Sequence, residues 1–535
     1  MIAVTLSNNG VEINNLPIPE IKHDQVLVKV YTCGLNRSDL LETQGQSFGH
    51  TGGENKIIGG EFAGKIIELG KSVSNFNIGD KVMCRGSSGW AEYAVANYKR
   101  IVKFDLDKIS CAAEPTYDDS LPIMSMLELQ ELPMPELTEM ANEMGVESVG
   151  ALGKQSLVFE ILKVHGNKNG RTVGGGVLEV LQDGFGFLRS HVYSFLPCPE
   201  DIYLSPSQIR RFSLRKGDLV IGQIRPPRDK ERFFAMLKVE SINGESPEEK
   251  KNAFPFENLT PVFPDERIVL ELPDAMPMRI FDLLAPLGKG QRMLITAPPQ
   301  SGRSTLIHQL TSSITRNHPE IEQMILLLDE RPEEITELSR SIEAQIISTS
   351  FEESPQRHVQ VAEMAIDRAK RLVEHGKDVV IFLDSLTRLA RAYNIVMPNS
   401  GRILDGGMDV CALHKPRQIF AAARNLEESG SLTIIATVMT GTGSKMDDAI
   451  IEDLRGTATM ELALDPDLAQ RKIYPPVDFT SCLARREELL LHPEELERVK
   501  RVRAELKDAK SADIVSKLSK KLSSTTSNAE FLLSL

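Results

Sequence analysis

The chain has 535 residues, 41% of them hydrophobic and 26% charged, the balance of a soluble protein of several domains. Its net charge of −13 excludes a surface that coats nucleic acid everywhere, while leaving room for a local basic track. Six cysteines without a CxxC pair exclude a zinc ribbon or disulfide scaffold and point to reduced thiols in a cytoplasm; no apolar run reaches the roughly 18 residues of a membrane span, and the first residues have no signal-peptide pattern.

Residues 1–104 read as a small β domain, with strand character at Val26–Tyr31 and Phe62–Leu69 and a turn at Gly79-Asp80. Residues 105–127 form a mixed Asp/Ser/Pro linker. Residues 128–168 carry helical periodicity through Leu137, Met140, Met144, Leu157 and Ile161. Residues 169–248 read as a second β domain with turns at Gly174-Gly-Gly, Gln182-Asp-Gly and Lys216-Gly-Asp. From 249 to 535 apolar runs alternate with helical stretches, the pattern of a largely parallel α/β sheet followed by a helical C-terminus.

In the second β domain, Phe185-Gly-Phe187-Leu-Arg189 spaces two aromatics at i, i+2, which places both rings and Arg189 on one strand face. Tyr203 supplies a third ring, and Arg225, Arg228, Lys230 and Arg232 with Phe233 and Phe234 supply charge and more aromatics. Stacking rings with cations are how OB-folds hold single strands.

In the α/β domain, Ala297-Pro-Pro299-Gln300-Ser301-Gly302-Arg303-Ser304-Thr305 follows a buried strand and opens a helix, the context of a phosphate-binding P-loop for ATP. Ser304 stands where a hydroxyl ligates Mg²⁺, with Thr305 after it. Asp384, ending the apolar run Val379–Leu383, is the Walker B acid expected to share that Mg²⁺. Glu330, ending Ile325–Leu328 and Asp329, is the candidate for polarising the attacking water. Arg303 holds the position where a P-loop has lysine. Two glycine-rich loops, Leu404-Asp-Gly406-Gly407-Met408 and Gly441-Thr-Gly-Ser-Lys445, are too long for simple turns, and Lys445 is placed to touch a phosphate backbone.

Together these segments resemble the Rho family of transcription termination factors from about Glu128 to Leu535. The most specific are Val177-Leu-Glu-Val-Leu-Gln-Asp-Gly-Phe-Gly-Phe-Leu-Arg189, Asp329-Glu-Arg-Pro-Glu-Glu334 and Asp384-Ser-Leu-Thr-Arg-Leu-Ala-Arg-Ala-Tyr-Asn394. The resemblance implies a homohexameric ring whose OB-fold captures pyrimidine-rich RNA at Phe185, Phe187, Arg189 and Tyr203. It implies a RecA-like domain that hydrolyses ATP, and central loops (Gly406, Gly407, Met408, Lys445) that pull RNA 5′ to 3′ and dissociate it from RNA polymerase. It also sets Lys472 at the position of the arginine finger, with Arg471 beside it. Arg303 for lysine and Lys472 for arginine are departures that predict a weakened motor with RNA capture retained. The alternative reading is a Rho-like protein that binds RNA and ATP with little or no hydrolysis.

Residues 1–117 resemble a different family, the N-terminal GroES-like domain of quinone oxidoreductase-type dehydrogenases. The residues that carry this are Cys33-Gly-Leu-Asn36-Arg37-Ser-Asp39, Gly59-Gly60-Glu-Phe-Ala-Gly and Asn77-Ile-Gly-Asp-Lys-Val82. Asn36 and Gly60 replace the cysteine and histidine of zinc-dependent relatives, so no zinc is expected. No GxGxxG Rossmann unit follows, so no NAD(P)H is expected, and a quinone reductase-like activity is a remote third reading. The predicted fold is thus multidomain: GroES-like β domain, small helical domain, OB-fold barrel, RecA-like P-loop domain.

Overall fold

Strand Glu61–Leu69 buries alternate residues Phe62, Gly64 and Ile66, which dictates a sheet with one covered face. The computed structural model describes all residues except 8–9, 34–55, 58–60, 86–88, 104–120, 147–148, 229–230, 249–253, 399, 405 and 507–508. The chain divides into two units, Met1–Thr116 and Tyr117–Leu535. In the first, five antiparallel strands run in the order Tyr93–Asn97, Gln25–Cys33, Glu61–Leu69, Lys81–Arg85, Ile101–Lys103 over a core of Val26, Val28, Phe62, Ile66 and Val82. Asn36, Asp39 and Gly60, singled out in the sequence, lie outside the described residues.

The second unit begins with helices Met126–Glu131, Met134–Met144 and Lys154–Asn167. The first starts inside the stretch read as linker, because Ser125 caps it by accepting from the Glu128 N–H. Strands Thr172–Val180, Gly186–Arg189, Ile202–Leu204, Phe234–Ile242 and Leu219–Arg225 then close into a barrel, since Gly186–Arg189 pairs with both Thr172–Val180 and Ile202–Leu204. Gly174-Gly-Gly is not the expected turn but lies within Thr172–Val180. A Cβ on Gly174 would fall 2.8 Å from Ile202 and Ile224 side-chain carbons, and one on Gly176 2.7 Å from the Arg189 carbonyl. The glycines let the barrel wall close.

The large sheet orders its main strands Gln345–Ser350, Glu322–Glu330, Val379–Asp384, Ser431–Met439, Arg292–Ala297, Met460–Leu464, Val477–Ala484, all parallel except the last pair. The central strands feed two cores. Met324, Leu326 and Leu328 enter one, with Ile381 and Leu383; Ile325 and Leu327 enter the other, with Val380 and Phe382. Burial on both faces explains why these strands read as unbroken apolar runs. Helices Pro493–Leu506, Ser511–Leu522 and Asn528–Leu533 pack on Met276–Leu284. Arg279 is buried there and donates to the carbonyls of Leu522 and Thr525. Among the described residues no helix is long and apolar enough to cross a membrane.

Barrel and sheet domain are joined by polar contacts. Arg357 donates to the carbonyls of Phe195 (3.0 Å) and Ser194 (2.6 Å), Gln360 donates to Glu179, and Arg215 pairs with Glu374.

Candidate nucleotide and nucleic-acid sites

The parallel topology brings the C-terminal ends of Arg292–Ala297, Glu322–Glu330 and Val379–Asp384 to one edge, where ligands of open α/β sheets bind. A cavity of about 500 Å³ opens there, lined by Pro299, Gln300, Ser301, Gly302, Arg303, Ser304, Thr305, Glu330, Arg331, Glu334 and Arg388. The loop takes left-handed backbone at Gln300 (φ 57°) and Gly302 (φ 80°), and the helix Arg303–Asn317 starts directly after it. Its free N–H groups therefore face the cavity, as anion binding requires. A Cβ on Gly302 would sit 3.0 Å from Pro476 and 3.5 Å from Ala469, so the segment carrying Arg471 and Lys472 packs on the P-loop of the same chain. Both side chains are exposed, and neither lines the cavity.

Arg303 turns onto the two acids. Its Nε lies 2.9 Å from Asp384 Oδ2 and its Nη2 3.1 Å from Glu330 Oε2. Thr437 donates to Asp384 Oδ1 at 2.7 Å. Arg388 donates to Glu330 Oε2 at 2.9 Å and to the carbonyls of Leu328 and Asp329. Burial pushes the Glu330 carboxyl up, against the pull of Arg388 and Arg303. Burial likewise pushes Asp384 up, with Arg303 the largest opposing charge. Sequence reading missed Arg388, although it follows Asp384 by four residues in the first turn of Leu386–Val396, where a side chain reaches back over the strand end. A magnesium ion shared by Ser304 and Asp384 does not fit this arrangement. Both Asp384 oxygens already have partners, one a full positive charge against which a second cation would be repelled. Ser304 is exposed at the cavity.

On the barrel, Phe185, Phe187, Tyr203 and Phe233 form one half-buried cluster. Ring centroids are 5.9 Å apart for Phe185–Phe187, 5.7 Å for Phe185–Tyr203 and 4.8 Å for Phe187–Phe233. Pairing of Phe187 with Tyr203 across strands is what brings the rings together. A groove of about 650 Å³ continues from Tyr203 along Gln208, Arg225, Glu231, Arg232 and Phe233. Glu231 also escaped the sequence reading; it is exposed, and its bond from Arg225, followed by the Arg228 N–H, holds its carboxyl below the usual range.

Arg189 departs from expectation. It keeps the predicted face, 5.1 Å from the Phe187 centroid, but lies beneath the rings and is 7% exposed. Its guanidinium is committed to Glu179 (2.8 Å) and Asp201. It supports the platform and does not offer a charge to a ligand. We expect Phe187→Ala to weaken binding of an oligocytidylate RNA by about 5- to 150-fold, the worth of roughly 1–3 kcal/mol for one base stack. Fluorescence anisotropy would measure it, and an affinity within twofold would count against the platform.

The glycine loops meet. Gly406 (φ 82°) approaches so closely that a Cβ would lie 2.3 Å from the Met446 N. Gly407 and Lys445 are exposed, and Lys445 begins the helix Lys445–Arg455. Met408, expected to face RNA, is instead fully buried in the core, because Leu404 N–H bonds to its carbonyl and turns the hairpin inward. Asn394 holds the same hairpin by donating to the Gly407 carbonyl (3.4 Å) and accepting from the Asp409 N–H (2.8 Å). Asp405 lies outside the described residues.

Comparison with known proteins agrees with this layout. Residues 174–248 match the Rho termination factor RNA-binding domain and 128–170 the Rho termination factor N-terminal domain. Residues 277–484 match the nucleotide-binding domain of the ATP synthase alpha/beta family, and 22–106 the alcohol dehydrogenase GroES-like domain. The transcription termination factor Rho of Pseudomonas aeruginosa is 51% identical over 416 residues, covering 77% of this chain and 99% of the relative. That of Allochromatium vinosum is 49% identical, covering 77% and 100%. With about half of its residues identical across nearly the whole of these relatives, and a GroES-like domain in front, the chain belongs to the Rho family of transcription termination factors.

Proposed function

We propose that this chain is an RNA-dependent ATPase of the Rho class, working in the cytoplasm as a homohexameric ring. It captures single-stranded, pyrimidine-rich RNA on the barrel, moves it 5′ to 3′ at the expense of ATP, and releases the transcript from RNA polymerase. The observation that carries this reading is that an aromatic platform and a P-loop cavity belong to one unit, tied together by Arg357, Gln360 and Arg215. The same reading assigns residues 1–104 to a GroES-like domain, 105–123 to a linker, 124–168 to the helical domain, 169–248 to the OB-fold and 249–535 to the motor.

In this reading the loop N–H groups from Gln300 to Thr305 hold the ATP phosphates, and Glu330 orients the attacking water and draws its proton. Arg388 fixes the Glu330 carboxylate through shared contacts with the strand end. Arg471 and Lys472, exposed and outside the cavity, act across a subunit boundary, where a cation stabilises charge developing on the γ-phosphate. Phe185, Phe187, Tyr203 and Phe233 stack bases, while Gly406, Gly407 and Lys445 face RNA in the ring.

A second reading, retention of RNA and nucleotide with little turnover, is favoured by Arg303, which engages both acids. Phosphate release with and without polycytidylate separates the two. RNA-stimulated release by the unaltered chain supports the motor; none, with RNA binding intact, supports the second. We expect Arg303→Lys to raise turnover by roughly 10²-fold, the size of effect that one preorganised donor carries.

A further inference from the structure

Arg303 does more than replace a lysine. Its planar guanidinium spans the two acids of the cavity, Nε to Asp384 at 2.9 Å and Nη2 to Glu330 at 3.1 Å. Arg388 adds a second cation on Glu330 and also reaches Asp329 (3.8 Å), so two guanidinium groups neutralise the acids at the strand ends. Thr437 satisfies the remaining Asp384 oxygen. A guanidinium has five N–H donors. One of those on Arg303 donates to Glu330 while Nε stands in ion-pair range of Asp384, on a side chain that lines the cavity directly after Gly302. The remaining N–H groups are the ones that would meet phosphate oxygens bound at the helix N-terminus. Linking the strand-end acids to the phosphates while cancelling their charge is the task a divalent cation performs in P-loop sites. A lysine ammonium carries its three donors on one atom, so it lacks the spread of the guanidinium fork over acids and phosphate.

We propose that Arg303 takes the place of the divalent cation, so that this site holds ATP without a bound metal ion. The inference rests on the reading of the cavity as a nucleotide site. It accounts for the misfit of magnesium between Ser304 and Asp384, and it makes the arginine a determinant of what the site accepts: the nucleotide itself, with no need for its metal complex.

The test is equilibrium binding of a fluorescent ATP analogue to the full chain, in excess Mg²⁺ and in excess EDTA. The unaltered chain should bind within about threefold under both conditions, whereas Arg303→Lys should lose about tenfold or more in EDTA, because an ammonium gathers its donors on one atom and lacks the reach of the fork. If the lysine variant misfolds, Arg303→Gln serves in its place and should bind at least about tenfold more weakly than the unaltered chain in EDTA. Loss of about tenfold or more by the unaltered chain in EDTA would overturn the inference while leaving the nucleotide reading intact. Equal indifference to EDTA in chain and variant would also overturn it. Absence of binding under both conditions would sink both readings.

Discussion

Glu330→Gln is expected to lower RNA-stimulated ATP turnover by about 10²- to 10⁴-fold, the range of a lost general base. The substitution keeps size and one acceptor oxygen, so the hydrogen bonds from Arg303 (3.1 Å) and Arg388 (2.9 Å) have a partner in the variant. What it removes is the basicity of a carboxylate whose pKa burial has raised. Nucleotide affinity should therefore hold within about threefold, since charge-assisted contacts to the phosphates come from the loop. Phosphate release and binding, measured on the same preparation, make the check. Turnover within about tenfold of the unaltered chain would remove Glu330 from the chemistry and direct attention to Glu334, the other glutamate lining the cavity.

The second large effect is on stability. Arg189→Ala removes the shared partner of Glu179 and Asp201, which keep 10% and 2% of their side chains exposed. Leaving buried charge without its partner costs about 3–5 kcal/mol. Asp201 shows the strain of the site: burial already pushes its carboxyl up to about 6, with Arg189 the largest opposing influence. The expected result is a marked fall in the urea midpoint of the barrel's transition. The salt dependence of RNA binding should not change, because the guanidinium meets no phosphate. An unchanged midpoint, with a salt slope shallower by about 0.7, would instead make Arg189 a direct RNA contact.

The two sites differ in how far they could be read from sequence. Strand, loop and helix around Gly302 were legible because a parallel strand buried on both faces is a continuous apolar run, and the acids that end such runs stand out. The direction in which Arg303 turns was not legible. It depends on Asp384 and Glu330 approaching through the register of Glu322–Glu330 with Val379–Asp384, a long-range pairing that no local pattern encodes. For the same reason Arg388 was overlooked: its task is defined by a strand end 58 residues away. On the barrel, spacing at i, i+2 correctly placed Phe185, Phe187 and Arg189 on a common face. Periodicity carries no depth, however. The acids Glu179 and Asp201, on neighbouring segments, draw the arginine under the rings. Met408 misled in a similar way: its glycine neighbours signal a loop, while its own side chain answers to the core. Ser125 shows the opposite case, a cap that local rules name and that sets a helix start inside an unpatterned stretch.

The contact between Gly406 and Met446 has a mechanical consequence. Where side chains separate two segments, rotamer changes absorb small displacements, and one segment can shift while the other stays. Here main chain rests on main chain with no room for a methyl group, so the joint has almost no slack. A push of an ångström on the helix that starts at Lys445 arrives at the hairpin undiminished, and a pull on the hairpin returns the same way. The hairpin and the start of that helix are therefore expected to shift together as one piece.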